Sequence, residues 1–391
     1  MKKNRKWVLM AAVLCTALPD IGAGTASPAI ALISQAMPEV DVQLVQMIVS
    51  IPSVCLIFFP SIYAKLTEYV KKKTLLWAAF LMMLIGAVGP LFFDNIYQIL
   101  VCRFILGLSN GIIMPITIDL IMDLFEGHEQ QSMLGYAAAV TSIGGIVFQT
   151  LGGWMGSFNW HYCFLATCVS VPFYLFALFT LPDIPVPESP QTDQKKPRMR
   201  DALSRPLLIL GAFMVMWELL YFVFLTNSSL YLVNSGIATT TQVGFITSMV
   251  TVGGLIMSAL YGRMIPVFKQ YILPLAYLIT AIGFVIICFA GSVPAMMLGA
   301  LAIGIGYGIS APCQLNLASS LIPHRYTSVA TSVCYTARGI GGFISPVVIG
   351  AICSALGKTQ GLFSFQLAAV LLFILVLLML VYEKKMDIHI S

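Results

Sequence analysis

The feature that most constrains this chain is the recurrence of apolar runs of about twenty residues along its entire length. A helix needs about 20 apolar residues to cross the hydrocarbon core of a bilayer. Only 9% of the residues are charged, whereas about 25% is typical of soluble domains. We therefore predict an all-α integral membrane protein with twelve spans, at 7–34, 43–64, 74–93, 96–124, 133–156, 161–182, 206–233, 243–265, 271–291, 294–322, 327–355 and 361–382.

This composition excludes a soluble enzyme. In a membrane protein, the net charge of +5 does not indicate a nucleic-acid partner. The nine cysteines fall in apolar runs and form no Cys-x-x-Cys pair, so we expect neither a metal centre nor a cofactor. The basic start of the chain is similar to a signal peptide, but the long apolar run behind it contains Asp20 and lacks a cleavage site. We expect an uncleaved first span.

One long polar stretch, rich in Pro, Asp, Lys and Arg, divides the predicted spans into two sets of six. We predict an N-terminal six-helix bundle over 1–182, a cytoplasmic linker over 183–205 and a C-terminal six-helix bundle over 206–391.

The two predicted halves also share a glycine pattern. The first half contains Gly107-x-x-x-Gly111-x-x-x-Pro115, and the same pattern begins again at Gly304, an offset of 197 residues. Gly144-Gly145 recurs as Gly341-Gly342 at the same offset. Such internal repeats are typical of secondary transporters, whose substrate site lies between the repeats near the middle of the bilayer.

Lys and Arg predict the orientation, because cytoplasmic loops carry an excess of both. In a twelve-span topology, 18 of the 21 Lys and Arg residues fall in segments on the same side of the membrane as the N-terminus. The exceptions are Arg103, Arg338 and Lys358. We therefore predict a multi-pass cell-membrane protein with both termini in the cytoplasm and Lys358 in an outer loop.

Three segments of the first half carry recognisable motifs. Residues 103–111 read Arg-Phe-Ile-Leu-Gly-Leu-Ser-Asn-Gly, residues 144–153 contain Gly-x-x-x-Phe-Gln-x-x-Gly-Gly, and residues 64–73 form a basic loop that contains Glu68. These segments resemble the helix 4, helix 5 and loop 2–3 signatures of the major facilitator superfamily. The closest resemblance is to its twelve-helix drug:proton antiporter-like branch, with Phe148 and Gln149 in place of that branch's Gly-Pro.

The resemblance implies two bundles that expose a central site alternately to the two sides of the membrane. It also implies an inner gate in which Asp123, at the end of span 4, pairs with Lys72 of the basic loop. Asp119 lies one helical turn before Asp123 on the same face, so we assign it to this gate together with Glu68. In the family, the helix 5 segment packs closely against helix 8.

Charged residues inside predicted spans are the strongest functional candidates, because a charge at the bilayer centre costs at least about 2.5–3.5 kcal/mol. Asp20 and Glu218 lie near the midplane, 198 positions apart, and Arg103 and Arg338 are the buried bases. Burial favours a neutral carboxyl and a nearby Arg favours an ionised one, so such an acid can load and release a proton. The alternative is two permanent structural ion pairs, Asp20 with Arg103 and Glu218 with Arg338.

Polar and aromatic residues inside the spans are candidates for substrate contacts. Trp217 and Tyr221 flank Glu218 on span 7 and are the first choices. The remaining candidates are Asn110, Gln149, Asn227, Tyr307, Gln314, Asn316 and Tyr335.

The sequence offers no site for chemical catalysis or ATP binding. Gly357-Lys358-Thr359 is similar to the end of a P-loop, but Ile352 occupies the position of its first Gly. We expect a monomeric, proton-coupled exporter of small amphipathic compounds, with the substrate, protons and the lipid bilayer as its partners. The alternatives are uptake or exchange of a small organic anion or sugar derivative, and a channel or non-transporting receptor.

Overall fold

The structure is a computed structural model that describes residues 3–183, 204–323 and 327–386, without side-chain detail for short stretches that include residues 19–23. The described residues form twelve helical segments and no β-strand. The segments are α1 (Lys3–Thr16, Leu18–Ala29 and Ile30–Ala36), α2 (Val42–Ser50, Ile51–Ser53 and Val54–Leu66), α3 (Lys72–Val88 and Gly89–Phe92), α4 (Ile96–Leu124), α5 (Gly127–Gly156), α6 (Trp160–Ser170 and Val171–Thr180), α7 (Arg205–Asn234), α8 (Thr240–Phe268), α9 (Ile272–Phe289), α10 (Val293–Ser320), α11 (Thr327–Ala355) and α12 (Leu362–Met386).

These segments make an all-α membrane fold, as predicted. Ten stretches of the described chain are long and apolar enough to cross a bilayer. One of them, Thr240–Phe289, would measure about 75 Å as a single helix and contains both α8 and α9. The break between the two lies at Lys269, whose φ of 45° ends α8. α1 is not among the ten, because its apolar helix Lys6–Thr16 is short and is followed by a change of winding.

That change of winding occurs in the middle of α1. Residues Leu18–Ala29 adopt the tighter 3₁₀ geometry, with Pro28 inside the segment. Proline has no backbone N–H and disrupts the regular α-helical bonding pattern, and a long 3₁₀ stretch inside a helix is uncommon. The sequence predicted a continuous span over 7–34, so this irregularity is a finding of the structure.

Side chains at the starts of the helices satisfy backbone N–H groups that have no partner within the helix. Asn95 accepts a hydrogen bond from Tyr97 N–H at the start of α4, and Ser204 accepts one from Leu207 N–H at the start of α7. Thr239 and Gln242 form a reciprocal capping box at the start of α8. These local signals help to set where the helices begin.

The buried apolar side chains fall largely within one half or the other. The largest cluster lies entirely within residues 207–382, and a second lies within residues 12–181. A smaller cluster joins the halves and includes Ile30, Ile48 and Leu230. Residues 184–203 lie outside the described chain, so the predicted domain boundaries stay a prediction.

The two halves approach most closely where glycines of α5 meet glycines of α8. A Cβ atom added at Gly153 would lie 2.8 Å from Thr240 O and 2.9 Å from Gly244 Cα. A Cβ added at Gly244 would lie 2.8 Å from Gln149 O. Small residues allow membrane helices to reach this backbone-to-backbone distance. The contact therefore depends on both glycines.

Candidate functional site

A central cavity of about 330 Å³ lies between the two halves. Both halves line it, with residues from α1, α2 and α5 on one side and from α7, α8, α10 and α11 on the other. Its polar lining includes the side chains of Ser53, Ser142, Gln149, Glu218, Tyr221, Thr251, Ser258, Tyr307 and Arg338. This volume lies in the range of pockets that hold small molecules.

One face of α7 supplies the acid and much of the apolar wall. Glu218, Tyr221, Phe222 and Leu225 all line the cavity, and their spacing of three, four and seven residues places them on one helix face. Glu218 is thirteen residues from the start of α7, about 20 Å along the helix, and only 4% of its surface is exposed. The carboxyl group therefore belongs to a residue near the middle of α7.

Glu218 and Arg338 face the same cavity without a direct salt bridge. The close approach of α11 to α7 depends on Gly341, where an added Cβ would lie 2.9 Å from Glu218 Cβ. Arg338 Nη2 donates to Ala311 O at 3.1 Å, while Arg338 Nε and Glu218 Oε2 are buried without a hydrogen-bond partner. The two groups thus act on each other as neighbouring charges and not as a closed ion pair.

Arg103 of α4 is fully buried but does not line this cavity. Its Nε donates to Ile48 O at 3.1 Å, and its guanidinium lies 5.5 Å from the centroid of the Phe164 ring. These contacts join α4 to α2 and α6 within the first half. The side chain of Asp20 lies outside the described residues, so its predicted role in proton coupling stays a prediction.

Most of the predicted substrate-contact residues fall into three places. Tyr221 and Gln149 line the central cavity, where Tyr221 stacks on Tyr307 with ring centroids 4.5 Å apart. Gln149 Nε2 also donates to Thr251 Oγ1 of α8 at 3.3 Å, across the two halves. Ser53 and Thr251 are lining residues that the sequence analysis missed, because single hydroxyl groups in apolar spans carry no distinguishing pattern.

Trp217 and Gln314 point instead into the interior of the second half. Trp217 is 1% exposed and stacks on Tyr277 with centroids 4.5 Å apart, and Gln314 Nε2 donates to Tyr277 OH at 3.1 Å. One residue along a helix corresponds to a rotation of about 100°. Trp217 therefore faces α9 although it precedes Glu218 in the sequence.

Asn110 and Tyr335 line a second cavity of about 200 Å³ between α4 and α11. Asp119 lines the same cavity, further along α4. Leu56 of α2 lines both cavities and lies between them. The candidates that the sequence analysis grouped as one site therefore line two neighbouring spaces.

Three of the four predicted inner-gate residues, Lys72, Asp119 and Asp123, meet at the end of the bundle that carries the loop 67–71. We call this end the inner end. Lys72 Nζ lies 2.6 Å from Asp123 Oδ2 and 3.6 Å from Asp119 Oδ2. Tyr63 OH donates to Asp119 Oδ2 at 2.7 Å, and Glu68 is exposed in the loop. Exposed ion pairs contribute less than about 1 kcal/mol, so this cluster can bias a conformational equilibrium only modestly.

The opposite end of the bundle carries loops 37–41 and 235–239, and we call it the outer end. Neutral hydrogen bonds join the two halves there. Gln46 Nε2 donates to Asn227 Oδ1 at 3.0 Å, and Gln35 Nε2 donates to Asn234 Oδ1 at 3.0 Å. The Ser229 hydroxyl accepts from Ala31 N–H and donates to Pro28 O. Sequence reasoning named only Asn227 of these residues, as a candidate for the cavity, although several pairs are separated by close to the repeat offset.

Two packed helical bundles with a polar cavity between them define a polytopic membrane transporter. Residues 9–239 and 219–389 both match the family model described as Major Facilitator Superfamily. These matches cover nearly the whole chain, and the protein belongs to the major facilitator superfamily.

Solved structures share this fold at low sequence identity. A bacterial homolog of the human lysosomal transporter Spinster, in an inward-facing and unoccupied conformation, matches with a TM-score of 0.75 and 13% identity over 98% of both chains. The nucleoside transporter NupG matches with a TM-score of 0.77 and 12% identity over 96% of this chain and 99% of its own. At this level of identity the likeness concerns the fold alone.

Curated relatives cover a smaller part of the chain. The Protein TsgA homolog of Yersinia enterocolitica serotype O:8 is 27% identical over 149 residues, which is 38% of this chain and 38% of the relative. A Protein TsgA homolog of Yersinia pestis strain Pestoides F is 26% identical over the same length. The matched stretch is thus well under half of either protein.

Proposed function

We propose that this protein is a proton-coupled antiporter that exports small amphipathic compounds, with both termini in the cytoplasm of a cell and the monomer as the working unit. The observation that carries the proposal is Glu218, a buried acid with an unpartnered oxygen in a cavity lined by both halves. Structures with this fold include a nucleoside transporter and a peptide transporter, so the fold alone does not select a substrate. The cavity's chemistry must do so.

The charges in the cavity favour competition between a proton and a cationic compound. When Glu218 is ionised, its charge offsets that of Arg338, and a positively charged ligand gains a partner. When Glu218 is protonated, the cavity carries the positive charge of Arg338 alone and repels the same ligand. Proton binding and cation binding therefore oppose each other, and this reciprocal opposition is the requirement for antiport.

The rest of the cavity suits an amphipathic ligand. Tyr221, Tyr307 and Phe222 offer aromatic surface, and Gln149 and Thr251 offer hydrogen-bonding groups. Aromatic faces attract organic cations by about 0.5–2 kcal/mol. The hydrogen bonds at the outer end hold that side together, which is consistent with loading of the cavity from the inner end.

The test is transport of tetraphenylphosphonium by purified protein in proteoliposomes, with and without an imposed pH gradient. Glu218→Gln should abolish accumulation driven by the pH gradient while leaving downhill exchange partly intact, because a neutral amide imitates the protonated acid and cannot cycle. Tyr382→Phe, which removes a hydroxyl that bonds Pro206 O far from the cavity, is the matched control. If Glu218→Gln concentrates the cation at normal rates, the proposal is wrong.

Arg338 favours a second candidate function, transport of a small organic anion. Arg338 lines the cavity, and its Nε is buried without a hydrogen-bond partner. An anion would bind best when Glu218 is protonated, so anion and proton would move together and not in exchange. In the same proteoliposomes, accumulation of a carboxylate such as benzoate with an inward proton gradient would support this candidate.

A further inference from the structure

The wall of the second cavity carries a carboxylate of the inner gate. Asp119 lines this space together with Asn110, Met114 and Tyr335, and it lies five residues before the end of α4. The side chain of Asp119 is 39% exposed. It is therefore accessible from the cavity while it contacts the gate.

The distances within the gate show how its charges are distributed. Lys72 Nζ is 2.6 Å from Asp123 but 3.6 Å from Asp119, so its ammonium is committed mainly to Asp123. The closest partner of Asp119 is the neutral hydroxyl of Tyr63 at 2.7 Å. The neighbouring Lys73 is turned towards the end of α6, where it donates to Leu181 O and lies 3.7 Å from Asp183. Asp119 is therefore the less closely paired of the two carboxylates.

The opposite wall complements that charge. Tyr335 of α11 lines the same cavity, and Asn110 lines it deeper along α4. A carboxylate facing an aromatic ring is a combination that binds organic cations, through ion pairing and cation–π attraction. At about 200 Å³ the space suits a small organic cation and is smaller than the central cavity.

The two cavities adjoin where α2 of the first half packs against α11 of the second half. There, Thr336 Oγ1 donates to Ile57 O at 3.1 Å, and a Cβ added at Gly339 would lie 2.8 Å from Ser53 O. These contacts bring α2 and α11 together on either side of Leu56. Because Leu56 lines both cavities, its side chain lies on the path from one to the other.

We propose that the cavity between α4 and α11 is a separate binding site for small organic cations, with Asp119 as its anionic group and Leu56 as the partition from the central cavity. The inference rests on the proposed function, since it gives the exported cation a first binding place at the inner end. It assigns Asp119 a ligand-binding role in addition to its contact with the gate.

The test is equilibrium binding of tetraethylammonium to the full-length protein in lipid nanodiscs, measured by calorimetry in a Glu218→Gln background that weakens the central site. Asp119→Asn should weaken the remaining binding by about tenfold or more, as expected for loss of one charge-assisted contact. Lys72→Met should strengthen it, because the competing ammonium is removed. Glu126→Gln, at an exposed acid beyond the end of α4, is the matched control and should change nothing.

Both of the first two variants weaken the same charge cluster, so an indirect effect of the gate would change the affinity in the same direction in both. Opposite changes in affinity therefore indicate a ligand site. If Asp119→Asn and Lys72→Met change binding in the same direction, or if Asp119→Asn matches Glu126→Gln, the proposal is overturned. Tyr335→Phe should retain binding and Tyr335→Leu should lose it, which tests the ring independently.

The binding test is independent of the transport test for the proposed function, because equilibrium binding needs no pH gradient. Asp119-dependent binding alongside Glu218-independent transport would leave the second site standing and remove the antiport proposal. Glu218-dependent transport without Asp119-dependent binding would do the reverse.

Discussion

The hydroxyl of Ser229 in α7 donates a 2.6 Å hydrogen bond to the carbonyl of Pro28 in α1, across the two halves of the protein. The same oxygen accepts from Ala31 N–H at 3.1 Å. Pro28 lies in the 3₁₀ stretch of α1, and Ala31 lies in the first turn of the helix that follows. One side chain of the second half thus satisfies two backbone groups that the irregular winding of the first half leaves without helical partners.

This contact predicts the effect of Ser229→Ala. The change leaves Pro28 O and Ala31 N–H unsatisfied while the outer end is closed, and inter-helix hydrogen bonds in membranes are worth about 0.6–1.7 kcal/mol. We expect a several-fold shift towards states with the outer end open. The measurement is the distance distribution between spin labels at Glu39 and Gly236 in the outer loops. Ser235→Ala, whose hydroxyl bonds only within its own half, should leave that distribution unchanged.

The resemblance of Lys72 and Asp123 to the gate pair of the family predicts the opposite shift. Lys72→Ala and Asp123→Asn each remove the 2.6 Å ion pair, and we expect both to shift the resting population towards inward-facing states and to slow turnover with little loss of expression. The shift should be modest, because such pairs contribute less than about 1 kcal/mol. Spin-label distances across the inner ends of the halves report it. Lys71→Ala, at an exposed neighbour, provides the comparison, and unchanged distances in both variants would contradict a latch.

Binding of cations should depend on pH through Glu218. As the pH rises, the ionised fraction of Glu218 increases and the affinity for tetraphenylphosphonium should increase with it. Glu218→Gln should bind with an affinity that no longer changes with pH. Arg338→Gln should bind the cation more tightly than the wild type at every pH, because a neighbouring positive charge is removed. Equilibrium dialysis across a pH series measures all three proteins, and a pH-independent wild type would contradict the competition model.

Trp217 and Tyr221, four residues apart on α7, should behave differently when shortened. Trp217→Ala removes a buried ring from the interior of the second half, and we expect it to cost about 3–5 kcal/mol of stability without changing the relative affinities for different substrates. Tyr221→Ala opens the cavity wall, and we expect it to change those relative affinities with a smaller loss of stability. Thermal unfolding in detergent and competition binding measure the two effects. A change in the relative affinities of Trp217→Ala for different substrates would indicate that Trp217 contacts the substrate after all.

The predicted orientation can be tested by cysteine labelling from each face of intact cells. In a variant without native cysteines, a cysteine at Lys358 should react with an impermeant reagent added outside. A cysteine at position 195, which lies outside the described residues, should react only after permeabilisation. External labelling at position 195 would overturn the orientation inferred from the distribution of Lys and Arg.

Hydropathy alone located the helices well. The predicted spans 96–124 and 327–355 coincide with α4 and α11, since the length that crosses a bilayer is set by its thickness. The 3₁₀ stretch of α1 was not predicted, although Pro28 within it is a local signal; the hydroxyl that satisfies Pro28 O comes from Ser229 in the other half of the chain. Long-range contacts of this kind leave no local signal in the sequence.

The candidate site was predictable by residue type but not by position around each helix. Glu218 was found because a buried acid is costly anywhere in a span. Trp217 was assigned to the same site because it is adjacent, although its ring packs on Tyr277. Apolar spans buried on several sides have no polar face to set the rotation, so the sequence could not separate cavity-lining residues from core residues. For the same reason, the sequence could not predict that Leu56 lines both cavities.

The contacts between α1 and α7 also bear on how such a chain can arise. Ala31 and Ser229 differ by 198 positions, the same separation as Asp20 and Glu218, and Ser27 contacts Leu225 at that separation too. In a symmetric dimer of identical six-helix subunits, a residue beside the two-fold axis would contact its own copy. Covalent fusion of two such subunits would turn that self-contact into a contact between two independent positions. The Ser229 hydroxyl accepts from the backbone N–H of residue 31, a bond that needs a hydroxyl on one side only. After fusion, position 31 could therefore take Ala while position 229 kept Ser, and each duplicated position gained the freedom to take a different residue.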